Sequence, residues 1–132
     1  MKRSHASEVV PVMKDDSNEL PVPTVWRPIF VAVVKAFAER DYRLAGGVSD
    51  VAPVSEDTAR QVEEYVRDYG EELVELPADT WATSISLWMG DRWDVLVDLW
   101  TQGEGHSDLV LSANVSESGD GFVFEINMVY VP

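Results

Sequence analysis

The chain of 132 residues contains no cysteine. That excludes a disulfide scaffold, a thiolate metal site and a cysteine nucleophile, and it suits a reducing cytoplasm. Histidine is nearly as scarce. Of the two, His5 and His106, His5 falls in a charged N-terminal stretch, which leaves His106 for any imidazole chemistry. Long apolar runs are missing too. The longest is Ile29–Val34, far short of the roughly 20 residues a membrane span requires. Met1-Lys2-Arg3-Ser4-His5 opens with positive charge, but Glu8, Lys14, Asp15 and Asp16 interrupt whatever follows. No signal peptide is expected. No phosphate-binding glycine loop, nucleophile elbow, dinucleotide fingerprint, EF-hand or H-E-x-x-H motif occurs.

Basic residues are scarce in one region in particular. The whole chain carries 10 Lys and Arg against 24 Asp and Glu, a net charge of −14. Residues 1–43 hold 7 basic and 6 acidic groups, while residues 44–132 hold Arg60, Arg67 and Arg92 against 18 acids. The second region therefore has a net charge of −15. Such a surface repels nucleic acid and anionic lipid and attracts basic proteins. The expected partner is a basic protein, with no nucleic acid and no membrane.

What is present supports one domain. Apolar residues make up 45% of the chain, enough for a core. Residues 1–23 mix charges, Ser and Asn with Pro11, Pro21 and Pro23, and read as a flexible arm whose loss should barely affect melting. Val9–Met13 could dock as a short extended piece. Residues 24–132 read as a single α+β domain. A first helix starts near Thr24–Arg27, with Pro28 in its first turn and Trp26, Phe30, Val33 and Phe37 at helical spacing. A second has Ser55 as N-cap, Val62, Tyr65, Val66 and Tyr69 as its apolar stripe, and Gly70 just past its end. Four strands follow, at about Trp81–Met89, Trp93–Thr101, Asp108–Val115 and Phe122–Val131, each alternating with a period of two. The expected fold is two N-terminal helices packed on one face of a four-stranded antiparallel meander.

Matching the apolar sides sets an expected register. Leu87 falls opposite Val95, Val97 opposite Leu111, and Leu111 opposite Ile126. The core face then collects Ile85, Leu87, Val95, Val97, Leu99, Leu109, Leu111, Ala113, Phe122, Phe124, Ile126 and Met128. The other face carries Trp88, Asp94, Asp98, Trp100, Asp108 and Glu125 with no Lys or Arg among them. These six are the candidate partner-binding residues: the tryptophans as anchors, the acids as complements to a basic surface. An antiparallel sheet with one wet side is also expected to be polar there.

A second constellation lies around one loop: Asp98, Glu104, His106 and Asp108. These hard or borderline ligands could hold a divalent metal or serve a small enzyme. Their spacing matches no known metal loop. The competing expectation is a solvent loop shaped by Gly103 and Gly105. No cofactor is expected.

The run Val97-Asp98-Leu99-Trp100-Thr101-Gln102-Gly103-Glu104-Gly105-His106-Ser107-Asp108-Leu109 resembles a segment of an uncharacterised bacterial small-domain family. In that family a strand ending in Asp-Leu-(aromatic)-Thr turns through Glu-Gly-x-Ser-Asp-Leu into the next strand. The resemblance covers Pro23–Val131 and implies a small α+β domain, with no activity attached. By size, acidity and lack of cysteine the chain also resembles, in type only, the immunity proteins of interbacterial toxin systems. The reading that follows is a non-enzymatic binding protein, in its specific form an immunity protein that neutralises a basic toxin domain. The alternative is a metal-binding protein or enzyme built on the Asp98–Asp108 loop.

Overall fold

In the computed structural model, which describes residues 9–132, helix α1 (Arg27–Ala38) continues a 3-10 turn at Thr24–Trp26. Pro28 sits in its first turn, where a helix has no use for the missing N–H. Trp26, Phe30, Val33, Val34 and Phe37 are buried. Helix α2 (Glu56–Tyr69) has the caps its sequence implies. The Ser55 side chain accepts from the Thr58 N–H, Glu56 and Asp57 lie in the first turn, and Gly70 closes the helix at φ 87°. Ala59, Val62 and Val66 face the core, and the opposite face is charged.

The strands β1 (Leu20–Pro21), β2 (Ile85–Trp88), β3 (Trp93–Thr101), β4 (Gly105–Ser118) and β5 (Gly121–Tyr130) form one antiparallel sheet in chain order. This corrects the expected four-stranded meander under two N-terminal helices. The sheet has five strands, and among the described residues there are two α-helices, of which only α1 is N-terminal. The extra strand is two residues long and contains a proline, so it carries no alternation by which a sequence could announce it.

That strand belongs to the segment expected as a flexible arm. Residues 1–8 of it, including His5, lie outside the described residues. In the rest, Val10 and Thr24 exchange hydrogen bonds, and the Trp93 indole donates to the Met13 carbonyl at 2.9 Å. Lys14 pairs with Glu117 at 2.9 Å and lies 5.0 Å over the Trp88 ring. Val22 is fully buried.

Register differs from expectation at two places. Leu87 pairs with Asp94, and Ser86 with Val95. The cause is the turn. Met89 N–H donates to the Arg92 carbonyl at 2.7 Å, so the hairpin loop is Gly90-Asp91 rather than three residues. Gly90 at φ 101° supplies the left-handed backbone such a short loop needs. The one-residue shift inverts β2. Ser84 and Ser86 turn inward, 2% and 4% exposed, and Ile85 and Leu87 turn outward. The buried hydroxyls are satisfied: Ser84 accepts from Asp98 N–H at 2.9 Å, and Ser86 donates to the Pro21 carbonyl at 3.4 Å. In β5 an irregularity beside Ser112/Ala113 pairs Ala113 with Ile126 but Leu111 with Val129. Val129 therefore fills the core at 0% exposure, and Met128 is pushed out to 38%. Val97 opposite Leu111 is as expected.

The core lies between the helices and the inner sheet face. Trp26 stands edge-on to Trp93, Phe122 and Phe124, with centroids 5.1, 5.4 and 6.2 Å away. Phe30 stacks edge-on to Phe124 at 5.6 Å. Each such fully buried side chain contributes about 1.5–3 kcal/mol relative to exposure.

Both long edges of the sheet are interrupted by other parts of the chain. Along β5, Phe124 exchanges backbone hydrogen bonds with Asp50 and Ala52. Further on, the Gln61 amide donates to the Val129 carbonyl at 2.7 Å and accepts from its N–H at 3.1 Å. Tyr65 Oη accepts from Val131 N–H at 3.2 Å. On the far side β1 covers β2. Where β2 stops, Thr80 and Ser84 hydroxyls cap the Asp98 backbone, and Glu72 and Val74 pair with Gln102 and Trp100. Unpaired edges invite strand addition from other chains, and here side chains and short links occupy them.

Candidate functional site

β3 alternates strictly between buried and half-exposed positions. Its outward set is Asp94, Leu96, Asp98 and Trp100. Pairing extends this set into rows across the sheet. Asp94, Asn114 and Glu125 form one; Ile85, Leu96, Ser112 and Met128 form the next. Asp98, Val110 and Tyr130 follow, then Trp100 with His106. Neither helix covers these rows, because the buried residues of α1 and α2 join the core on the inner face. At the edge, α2 presents Gln61 and Tyr65 to β5.

Five of the six candidate residues are thus on the outer side. Trp88 is not. It pairs with Trp93 and lies against that ring on the core side, centroids 4.5 Å apart. The same one-residue shift that turned Leu87 outward turned Trp88 in. The Trp-flanked acidic face expected from sequence therefore has Trp100 as its tryptophan.

The acids are not equivalent. Asp94 accepts from Asn114 Nδ2 at 2.7 Å, and Asn114 Oδ1 accepts in turn from Asn127 at 2.9 Å. Arg92 Nε stands 3.5 Å from Asp94, so the face does carry a cation. Asp98 Oδ2 meets His106 Nε2 at 3.2 Å and also accepts from the Thr83 hydroxyl. Asp108 and Glu125 are exposed, and among the described residues neither carboxylate has an ion-pair partner. Asp98, His106 and Asp108 line one shallow depression of about 460 Å³ with Val110 and Val131. A second, of about 380 Å³, has Leu87, Leu96 and Tyr130 beside Asp94 and Asn114. Sequence reasoning named His106 only with the loop constellation and not with this face, and it missed Arg92, Ile85, Leu87 and Tyr130 here. The signal for Ile85 and Leu87 was the Gly90-Asp91 pair, a two-residue hairpin turn.

The proposed metal loop does not assemble. Glu104 takes the Tyr69 hydroxyl at 2.6 Å, and Glu104 does not line the depression that holds Asp98, His106 and Asp108. That hydrogen bond to a carboxylate pushes the Tyr69 phenol above its ordinary value. Among the described residues no group of three or more His, Asp or Glu is placed to hold a metal ion. The polar residues of this hairpin hold its shape instead. Tyr69 Oη also accepts from Asp108 N–H at 3.2 Å, and Glu71 accepts from Gly103 N–H at 2.9 Å. Ser107 donates to the Leu99 carbonyl at 2.7 Å and accepts from Leu109 N–H at 3.1 Å, filling the irregularity beside Asp98.

Among the described residues no helix is long and apolar enough to cross a membrane. No curated protein and no solved structure matches the chain. The family described as a domain of unknown function (DUF7668) matches residues 34–132, which include the whole Val97–Leu109 segment, and the chain belongs to that family.

Proposed function

We propose that the protein is a non-enzymatic binding protein that engages a basic protein through the outer face of its sheet. In its specific form it is an immunity protein acting in the cytoplasm against a basic toxin domain. The observation that carries this reading is the open face itself. It bears Asp94, Asp98, Asp108 and Glu125, and neither helix covers it. The charge supports it: −15 over residues 44–132. A nuclease toxin must be basic to hold its substrate, so an acidic inhibitor gains association rate and complementarity together. The same charge argues against nucleic acid and anionic membrane as partners. Shallow depressions, rather than an enclosed cleft, favour binding over catalysis.

The test starts from the neighbouring genes: the reading expects one of them to encode a basic toxin domain, and that domain is the ligand to titrate. Isothermal titration at low salt should give tight binding that weakens as salt is added. Asp108→Lys with Glu125→Lys reverses the two face carboxylates that have no ion-pair partner among the described residues and should weaken binding strongly. Unchanged affinity in that variant at low salt would end the electrostatic reading.

A further inference from the structure

We infer that the outer face seats an amphipathic basic helix of the partner, laid across the strands along Leu96 and Met128; the inference rests on the binding role proposed above and specifies its geometry. Interrupted edges disfavour strand addition. A partner that adds a strand needs a run of unpaired backbone, and both long edges are interrupted, β5 at Phe124, Val129 and Val131 by Asp50, Ala52, Gln61 and Tyr65, and the other side by two-residue β1 and the Glu72–Val74 link. The open face is then the better docking surface, and helices are what normally cover a sheet face.

The rows set the helix's position. Ile85, Leu96, Ser112 and Met128 form a row across four strands, three of its four side chains apolar. Asp94 and Glu125 flank it on one side, Asp98 on the other. Asp94 and Asp98 are four residues apart on one strand, about 13 Å, close to the 10–12 Å diameter of a helix with its side chains. Four strands span about 14 Å, the length of roughly three helical turns. A helix with an apolar stripe on the row and Lys or Arg along both flanks would meet apolar surface below and carboxylates on either side. A second copy of this chain is the poorer occupant, because each brings a net charge of −14.

The probe is a synthetic three-turn peptide of leucine and lysine, with leucines on one stripe and lysines flanking it. A scrambled peptide of the same composition controls for bulk charge. By fluorescence anisotropy at low salt the amphipathic peptide should bind about tenfold tighter than the scramble. Amide-exchange protection should fall on β2, β3, the middle of β4 and the end of β5. Met128→Lys alters an exposed side chain and should abolish the preference; Leu96→Lys should do the same where circular dichroism shows it folded. Equal affinity for the two peptides would overturn the helix seat while leaving general attraction of basic proteins intact, as would protection confined to the acidic side of α2. Binding of neither peptide would overturn both. Sedimentation as a dimer that loses association in Met128→Lys would give the face to a second copy instead.

Discussion

The imidazole of His106 lies flat against the indole of Trp100, ring centroids 5.2 Å apart and planes 14° from parallel. The pair straddles the β3–β4 strand pairing at the end of the outer face, where His106 also reaches Asp98. A stacked pair of this kind couples by about 0.5–1.5 kcal/mol beyond the area it buries. A double-mutant cycle of His106→Ala and Trp100→Ala, read by urea unfolding, should return a coupling energy in that range. Additive losses would mean the stack is only proximity.

The register of β5 makes neighbouring residues behave oppositely. Phe124→Ala should cost roughly 3–5 kcal/mol, as for buried aromatics generally. Val129→Ala should remove most of the roughly 1.5–3 kcal/mol of a buried aliphatic side chain, whereas Met128→Ala should fall within about 0.5 kcal/mol. Without the irregularity at Ser112/Ala113, Met128 would be the costly position and Val129 the tolerant one. Denaturant midpoints for the three variants check it.

Removing residues 1–22 should lower the melting temperature by several degrees. The deletion takes away Val22, which is fully buried and contributes about 1.5–3 kcal/mol. It also takes β1 from the edge of β2 and the carbonyl that satisfies the Trp93 indole. Removing residues 1–8 alone leaves all of these contacts in place and serves as the control. Equal melting of the two shortened chains would show that the docking contributes nothing to stability.

Tyr69 should titrate late. Its hydrogen bond to Glu104 raises the phenol pKa; burial raises that of Tyr42. A raised pKa in the folded state means this contribution to stability is complete below the unfolded tyrosine value, near 10. It is lost as pH rises through the higher folded value. Absorbance of ionised phenol should therefore show late-titrating tyrosines, and Tyr69→Phe should remove one of them. A titration whose late phase survives unchanged in Tyr69→Phe would break the Tyr69–Glu104 assignment.

How far the sequence was readable depended on which force set each element. Helix α2 was plain because Ser55, Glu56, Asp57 and Gly70 all act locally. β3 was plain because its alternation is strict, and it placed Asp94, Asp98 and Trp100 on the outer side. What failed was set by partners far away in the chain. Apolar Ile85 and Leu87 looked like core, yet the two-residue turn at Gly90-Asp91 and the larger rings of Trp88 and Trp93 won that contest, with Ser84 and Ser86 buried in exchange. β1 exists only because β2 offers an edge. The acid–base cluster of the Thr101–Asp108 hairpin was visible as composition, but not that Tyr69, 35 residues earlier, would take Glu104.

Trp26 is the hub of the inner aromatic cluster, and it precedes the residues that the family match covers. So does β1, and so does the first half of α1. The unit that recurs as sequence and the unit that must fold are therefore different lengths. A chain begun at residue 34 would contain every residue of the outer face except the edge contributed by β1, yet it would have a tryptophan-sized hole behind it. Any experiment on the outer face has to carry the preceding segment along, although that segment contributes little to the face itself.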